Sequence, residues 1–208
     1  SVLGNGNYDF TLGFRNAFSY KNLSMSVLVD MKFGADVYSM SKMQSHVNGT
    51  SKETLEGREG WYASEQARLS ANVDAKDWTP TGGYVGKGVK AVTDADGNVS
   101  YVPNDVYVDP AKYWQALQNS SPEPFICDNS FVKLREVSLS YSCPKKWFVH
   151  TPIESVTLSA YGRNLLLIYS KVDNIDPESS YNNGNGQGFE YGSLPSRRTF
   201  GFGINVKF

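Results

Sequence analysis

The sequence predicts an all-β fold class: a segment of an antiparallel transmembrane β-barrel with long extracellular loops. Three observations predict it. Apolar and polar residues alternate with a period of two along several long stretches, as in strands that separate two media. The connections between these stretches are alternately short and long, which gathers the long loops on one side. The 40% hydrophobic content of the 208 residues falls largely on alternate positions, so no apolar run approaches the roughly 18–20 residues of a membrane helix. The longest such run is Leu165-Leu166-Leu167-Ile168-Tyr169.

Composition narrows the classes further. Lys plus Arg is 20 and Asp plus Glu is 21, for a net charge of −1. That balance lacks the basic excess of a nucleic-acid binder, so no nucleic-acid partner is expected. Aromatic residues, at 13%, are too abundant for a disordered chain. Ser1 opens no signal peptide, so the chain reads as a mature product or an excised piece. Moderate mean hydropathy does not argue against a membrane, because only alternate residues of a barrel strand face lipid.

The first strand is expected at about 8–20. Tyr8, Phe10, Leu12, Phe14, Phe18 and Tyr20 share one face; Asp9, Thr11, Arg15 and Ser19 share the other. Lys21-Asn22 makes a turn, with Asn22 able to take a positive φ. The second strand is expected at about 23–38, its apolar face running Leu23, Met25, Val27, Val29, Met31, Phe33, Ala35 and Val37. The parity switch across the two-residue turn fixes the register. Tyr20 should lie opposite Leu23, Phe18 opposite Met25, and Phe10 opposite Phe33. A strand from Leu23 to Val37 would reach on the order of 50 Å, beyond what crossing a bilayer needs.

Residues 39–130 read as one long extracellular loop. It should hold a small hairpin turning at Asp96-Gly97. It should also hold a short helix capped by Asp109 with Pro110 at its first position. The third strand is expected at about 131–142, with Val137, Leu139 and Tyr141 on one face. Adjacent charges at Arg135-Glu136 suggest a bulge. Cys143 to Phe148 form the next short turn. The fourth strand is expected at about 154–169, the second long extracellular loop at 170–196, and the last strand at about 197–208. Phe18, Tyr20, Tyr141, Trp147, Phe148 and Phe208 would gather at the short-turn end as part of an interfacial girdle. A soluble β-sandwich would explain the alternation, but less well the strand lengths and the loop asymmetry.

The later segments carry a family resemblance. The string Ser130-Phe-Val-Lys-Leu-Arg-Glu-Val-Ser-Leu-Ser-Tyr141, then Gly162-Arg-Asn-Leu165, Asp176-Pro-Glu178 and Pro195-x-Arg-Arg-x-Phe200 running to Phe208, occur in order. Together they resemble the late barrel of SusC/RagA-type TonB-dependent (TonB-linked) outer membrane transporters. The first hairpin fits as well, and the likeness is weakest across 39–128. The resemblance implies residues 1–208 of one C-terminal barrel portion: the last five strands of a 22-stranded barrel, with the plug elsewhere in a longer chain. It implies import of oligosaccharides or peptides across the outer membrane of a Gram-negative bacterium. The implied partners are a SusD-like surface lipoprotein and the TonB complex, reached through the missing N-terminal part. They also include the barrel-assembly machinery and the lipid membrane. Phe200, Phe202, Ile204, Val206 and Phe208 resemble the signal that this machinery reads. The alternative function is a soluble β-rich carbohydrate-binding module.

No catalytic residue is proposed, and no enzyme activity, cofactor or metal is expected. His46 and His150 are isolated. Asp94-x-Asp96-Gly97-Asn98 lacks the distal acidic residue of a calcium loop, and Gly184-x-Gly186-x-Gly188 lacks the strand-to-helix setting of a dinucleotide site. Asp173, Asp176 and Glu178 make only a weak case for a divalent ion. Arg15, Asp30, Lys32 and Asp9 should line the polar face, as lumen ion pairs or hydrated groups rather than substrate contacts. No substrate-binding residues are assigned. Trp61, Trp78, Trp114, Tyr181 and Tyr191 are candidates for sugar stacking, with loop packing the commoner role. Cys127 and Cys143 flank the third strand, on the order of 40 Å long, and so should not form a disulfide.

Overall fold

The computed structural model describes residues 2–179, 184 and 186–208. In chain order the elements are β1 (Phe10–Tyr20), β2 (Leu23–Phe33), β3 (Asp36–Ser39), α1 (Met40–Val47), α2 (Arg58–Ser70), β4 (Tyr84–Val85), β5 (Val89–Thr93), β6 (Val99–Pro103), β7 (Tyr107–Val108), α3 (Pro110–Ser120), β8 (Ile126–Asp128), β9 (Phe131–Ser142), β10 (Ser155–Ser170), β11 (Phe189–Glu190) and β12 (Thr199–Lys207). Among the described residues no helix is long and apolar enough to cross a membrane. The chain divides into two compact units: residues 1–40 with 126–208, and residues 41–125.

The first unit is built on one five-stranded antiparallel sheet, ordered β1-β2-β9-β10-β12. β1 and β2 pair from Phe10↔Phe33 through Phe14↔Val29 and Phe18↔Met25 to Tyr20↔Leu23, the register that parity and the short turn require. At the turn the left-handed backbone falls on Lys21 (φ 52) and not on Asn22. At about 3.3 Å per residue an eleven-residue strand is roughly 37 Å long.

The second stretch does not run unbroken to residue 38. Gly34 has φ +87, where a Cβ would lie 2.1 Å from Asp9 Oδ2. There the backbone turns out of the main sheet. The alternation resumes in β3, which belongs to a separate sheet ordered β11-β3-β8. Period-2 alternation survives a change of sheet, so the pattern alone hides the break. The stem is tight: Tyr38 pairs with Ile126 and Val37 with Cys127, and Asn129 N–H donates to Ala35 O at 2.7 Å. Glu190, buried on β11, accepts from Ser39 Oγ at 2.9 Å and from Gly192 N–H at 2.5 Å.

The sheet has an apolar face and a polar face. Phe10, Leu12, Phe14, Phe18, Leu139 and Leu158 are exposed on the apolar one, with Phe202 of β12 at 87%. On the other, Gly201 and Gly203 leave room that Tyr161 and Ser159 of β10 occupy: a Cβ on Gly201 would lie 2.4 Å from the Tyr161 ring. The Arg163 guanidinium lies over that ring, 5.1 Å from its centroid, a cation–π contact.

The second unit contains the hairpin and the short helix expected from the sequence, together with two further helices. The hairpin β5-β6 turns at Asp96-Gly97, where Gly97 takes φ +84. Asp94 accepts from the backbone N–H groups of Asp96 and Asn98, an Asx turn in which these carboxylate contacts are those of a turn. Helix α3 starts where expected, with Asp109 accepting from Ala111 N–H at 2.9 Å and Pro110 at the first position. Helices α1 and α2 have no sequence forecast. α2 buries only Ser64, so no apolar stripe announces it.

Candidate functional site: the polar face and the loop cleft

The bulge expected at Arg135-Glu136 organises the polar face. Between β2 and β9 the pairing steps from Leu28↔Glu136 to Val29↔Leu134, leaving Arg135 as the extra residue. β10 answers with its own irregularity between Arg163 and Leu166, where Asn164 takes φ +52. Adjacent strand residues ordinarily face opposite ways. The extra residue lets Arg135 and Glu136 both reach polar-face partners.

Each then gathers a set of partners. Arg135 donates to Asp30 at 2.6 Å, to both carboxylate oxygens of Glu178 at 2.6 and 2.8 Å, and to Asn164 Oδ1 at 2.7 Å. Glu136 accepts from Arg163 at 2.8 Å and lies 3.8 Å from Arg15. Arg15 thus turns to Glu136, and Asp30 to Arg135. Lys32 lies over the rings of Tyr8 and Phe131, and Asp9 packs at Gly34.

Lys133, two residues before Arg135, holds the loop that follows β10. Its Nζ donates to Glu178 at 2.7 Å, Ser196 Oγ at 2.9 Å and Asp176 at 3.1 Å. The Lys133 side chain is 4% exposed, and those of Asp176 and Glu178 are 11% and 22%. The ammonium is therefore buried but matched by two carboxylates, the condition under which burial of charge is tolerated. Asp176 also accepts from Ser196 N–H at 2.7 Å and closely from Ser196 Oγ. Burial opposes ionisation of Asp176. Hydrogen bonds from Ser196, the Glu178 backbone and Lys133 outweigh it and hold its pKa below the ordinary value. Glu178 is also opposed by burial, but bonds from Arg135 and Lys133 bring its pKa down. Asn129 ties Pro177 O at 2.8 Å to Tyr8 Oη at 2.9 Å. Burial first, then the charges of Glu178 and Asp30, push the Tyr8 phenol up to about 12.

These carboxylates are occupied by lysine and arginine. The described residues contain no group of three or more metal-ligating side chains, so the weak case for a divalent ion at Asp173, Asp176 and Glu178 gives way to an ion-pair cluster. Sequence reasoning missed it because Lys133 and Glu178 are 45 positions apart. The Asp-Pro-Glu string and the Lys-x-Arg string were the two halves of the signal.

The second unit holds a cleft of about 600 Å³, whose lining includes Trp61, Tyr62 and Trp114 with Arg58, Glu65 and Gln115. Arg58 is fixed by bonds to Gly49 O at 2.7 Å and Thr54 Oγ1 at 2.6 Å. Trp114 is buried and packs on His46, Tyr84 and Tyr113 with ring centroids 4.6–5.6 Å apart. His46 is 2% exposed; its ring nitrogens lie 2.8 Å from Lys42 O and 2.9 Å from Glu53. The hydrogen bond from His46 is the main reason Glu53 sits below its ordinary pKa. Of the stacking candidates, Trp61 and Trp114 share this cleft. Trp78 donates to Ser64 Oγ at 3.1 Å. Tyr191 packs beside Tyr38 and Phe189, and Tyr181 lies outside the described residues.

Long strands with one exposed apolar face, one ion-paired face and helical and loop segments between them are the build of a β-barrel wall. Known proteins show which. Two TonB-dependent receptors of Formosa agariphila, P3 and P26, are 27% and 29% identical to this chain over its whole length. The chain spans 17% and 18% of their lengths. Two structures of RagAB align with it: the peptide importer in the closed-closed state with TM-score 0.60 over 100% of the chain, and the peptide transporter with 0.55 over 98%. Identity to them is 17% and 18%, and 18% and 17% of those chains are covered. No family model matches the chain. Over its whole length the chain is thus similar in sequence to proteins named TonB-dependent receptors and in fold to part of RagAB. These relatives are named as receptors and importers, not enzymes.

Proposed function

We propose that these 208 residues form barrel wall and extracellular loops near the C-terminal end of an outer-membrane TonB-dependent importer. The observation that carries the reading is the two-faced sheet. A soluble sheet buries one face, whereas here the apolar face, from Phe10 to Phe202, is exposed. In a barrel that face meets lipid and the ion-paired face meets the lumen. The alternative of a soluble carbohydrate-binding module leaves that apolar face without an explanation.

In this reading β1 and β12 are not true edges but join neighbouring strands of a larger closed barrel, because lipid tolerates no open edge. The five strands would be the last of 22, and Phe200, Phe202, Ile204, Val206 and Phe208 would serve as the assembly signal. The transported solute is an oligosaccharide or a peptide. Transport works with a SusD-like surface lipoprotein at the loop side and with TonB through an N-terminal part. The Trp61–Trp114 cleft would face the solute or the lipoprotein.

The test is fractionation of the full-length protein carrying this segment. It should require detergent for extraction from outer membranes and migrate faster on gels before heating than after. Recovery in the soluble fraction would overturn the reading. Pull-down with the lipoprotein of the same operon tests the partnership separately.

A further inference from the structure

The acids of the sheet unit are sorted by end. All its aspartates, among them Asp30, Asp128 and Asp176, lie in the loop half. At the opposite, short-turn end stand Lys21, Lys145, Lys146 and Lys207, all exposed, against one acid, Glu154. The backbone brings these lysines together. Lys21 makes the β1–β2 turn, and Ser142 N–H donates to Asn22 O at 2.8 Å. Lys145 and Lys146 follow directly from β9. Cys143 N–H bonds Val156 O at 2.8 Å, and Glu154 N–H bonds Lys207 O at 2.7 Å. Three strand spacings separate β2 from β12, about 15 Å. Among the described residues, Lys207 is the one of the four in an ion pair, with Glu154 at 2.6 Å. Aromatic rings stand in the same row: Lys21 lies over the Tyr20 ring at 5.2 Å, and Trp147, 59% exposed, follows Lys146 directly.

We propose that this end of the wall binds the headgroups of anionic phospholipids in the membrane leaflet at the short turns. The proposal rests on the barrel reading above. Trp and Tyr rings settle at headgroup level, and lysine stems reach past them to place ammonium groups on phosphates. Each lysine close to an anionic surface strengthens attraction by about fivefold, and salt screens it within a Debye length of about 10 Å at 0.1 M. Glu154 and, in the barrel reading, the terminal carboxylate of Phe208 cancel two of the four, so the row still carries a surplus that a zwitterionic headgroup would not use.

Brominated lipids quench tryptophan on contact and supply the test. The full-length protein is reconstituted in vesicles containing dibrominated phosphatidylglycerol or dibrominated phosphatidylcholine. Subtraction of a W147F variant isolates the Trp147 signal. Phosphatidylglycerol should quench Trp147 at least about threefold more effectively per mole. The preference should collapse in K145Q/K146Q and, in the unsubstituted protein, at 0.5 M salt. Equal quenching by the two lipids would overturn the proposal while leaving the barrel reading intact, as would a preference that both the variant and the salt leave unchanged. If neither lipid quenches Trp147, the residue lies away from the membrane, and the barrel reading falls with the proposal.

Discussion

Lys133 is an ammonium that would be untenable without its partners. It is held by Asp176 and Glu178, and removing it strands two partly buried carboxylates. Lys133→Met should therefore destabilise the loop against the sheet by about 3 kcal/mol, the lower end of the range for breaking buried pairs because Glu178 keeps some access to water. Hydrogen exchange across residues 172–179 of the full-length protein would report it. Adding Glu178→Gln in that background should restore part of the loss. The pH dependence follows from the same pair. Both carboxylates have folded pKa values below their ordinary ones, so their contribution is complete above the ordinary carboxylate range and lost as pH falls through the folded values. Protection of the loop, corrected for intrinsic exchange, should be flat from about pH 5 to 8 and decline only below about 4. A decline near pH 6 would point to a different group.

Among the elements, legibility in the sequence tracked the range of the interaction that decides each one. The β1–β2 register was readable from alternation and a two-residue turn, both local. The bulge was readable from Arg135 and Glu136 standing side by side in a strand. The start of α3 was readable from Asp109 and Pro110. The end of β2 was not, since Gly34 breaks the strand without disturbing the alternation. Nor were α1 and α2, which bury few side chains. The ion-pair cluster was invisible because its halves come from a strand and a distant loop. Gly34 provides a test at this scale. Gly34→Val forces a branched side chain into a left-handed backbone and against Asp9. It should cost roughly 1–3 kcal/mol, read as a lowered urea midpoint of the lipid-reconstituted full-length protein. An unchanged midpoint would mean that β2 and β3 can run on as one strand.

At the scale of the whole molecule the five-stranded sheet is open: among the described residues β1 and β12 each have a neighbour on one side only, and the apolar face is exposed. The 208 residues expressed alone should collect in inclusion bodies. Taken into detergent, they should show no heat-dependent shift on gels, because five strands fall short of the eight of the smallest bacterial barrels. A folded, monomeric, detergent-free chain would contradict this. The chain of relatedness to TonB-dependent receptors gives the expectation its context, since the segment spans under a fifth of those proteins.

The stem formed by β3 and β8 has a consequence for how such proteins diversify. The chain leaves the sheet unit after Tyr38 and returns at Ile126, and those two residues lie directly opposite each other in the β3–β8 pair. Whatever lies between them begins and ends at one fixed point, so its length and content are free of the geometry of the strands. Residues 41–125 should therefore tolerate insertion or replacement with the β1–β2 and β2–β9 registers unchanged, which hydrogen exchange of those strands would report. Sequence change in the loop unit and in the sheet unit can then proceed separately.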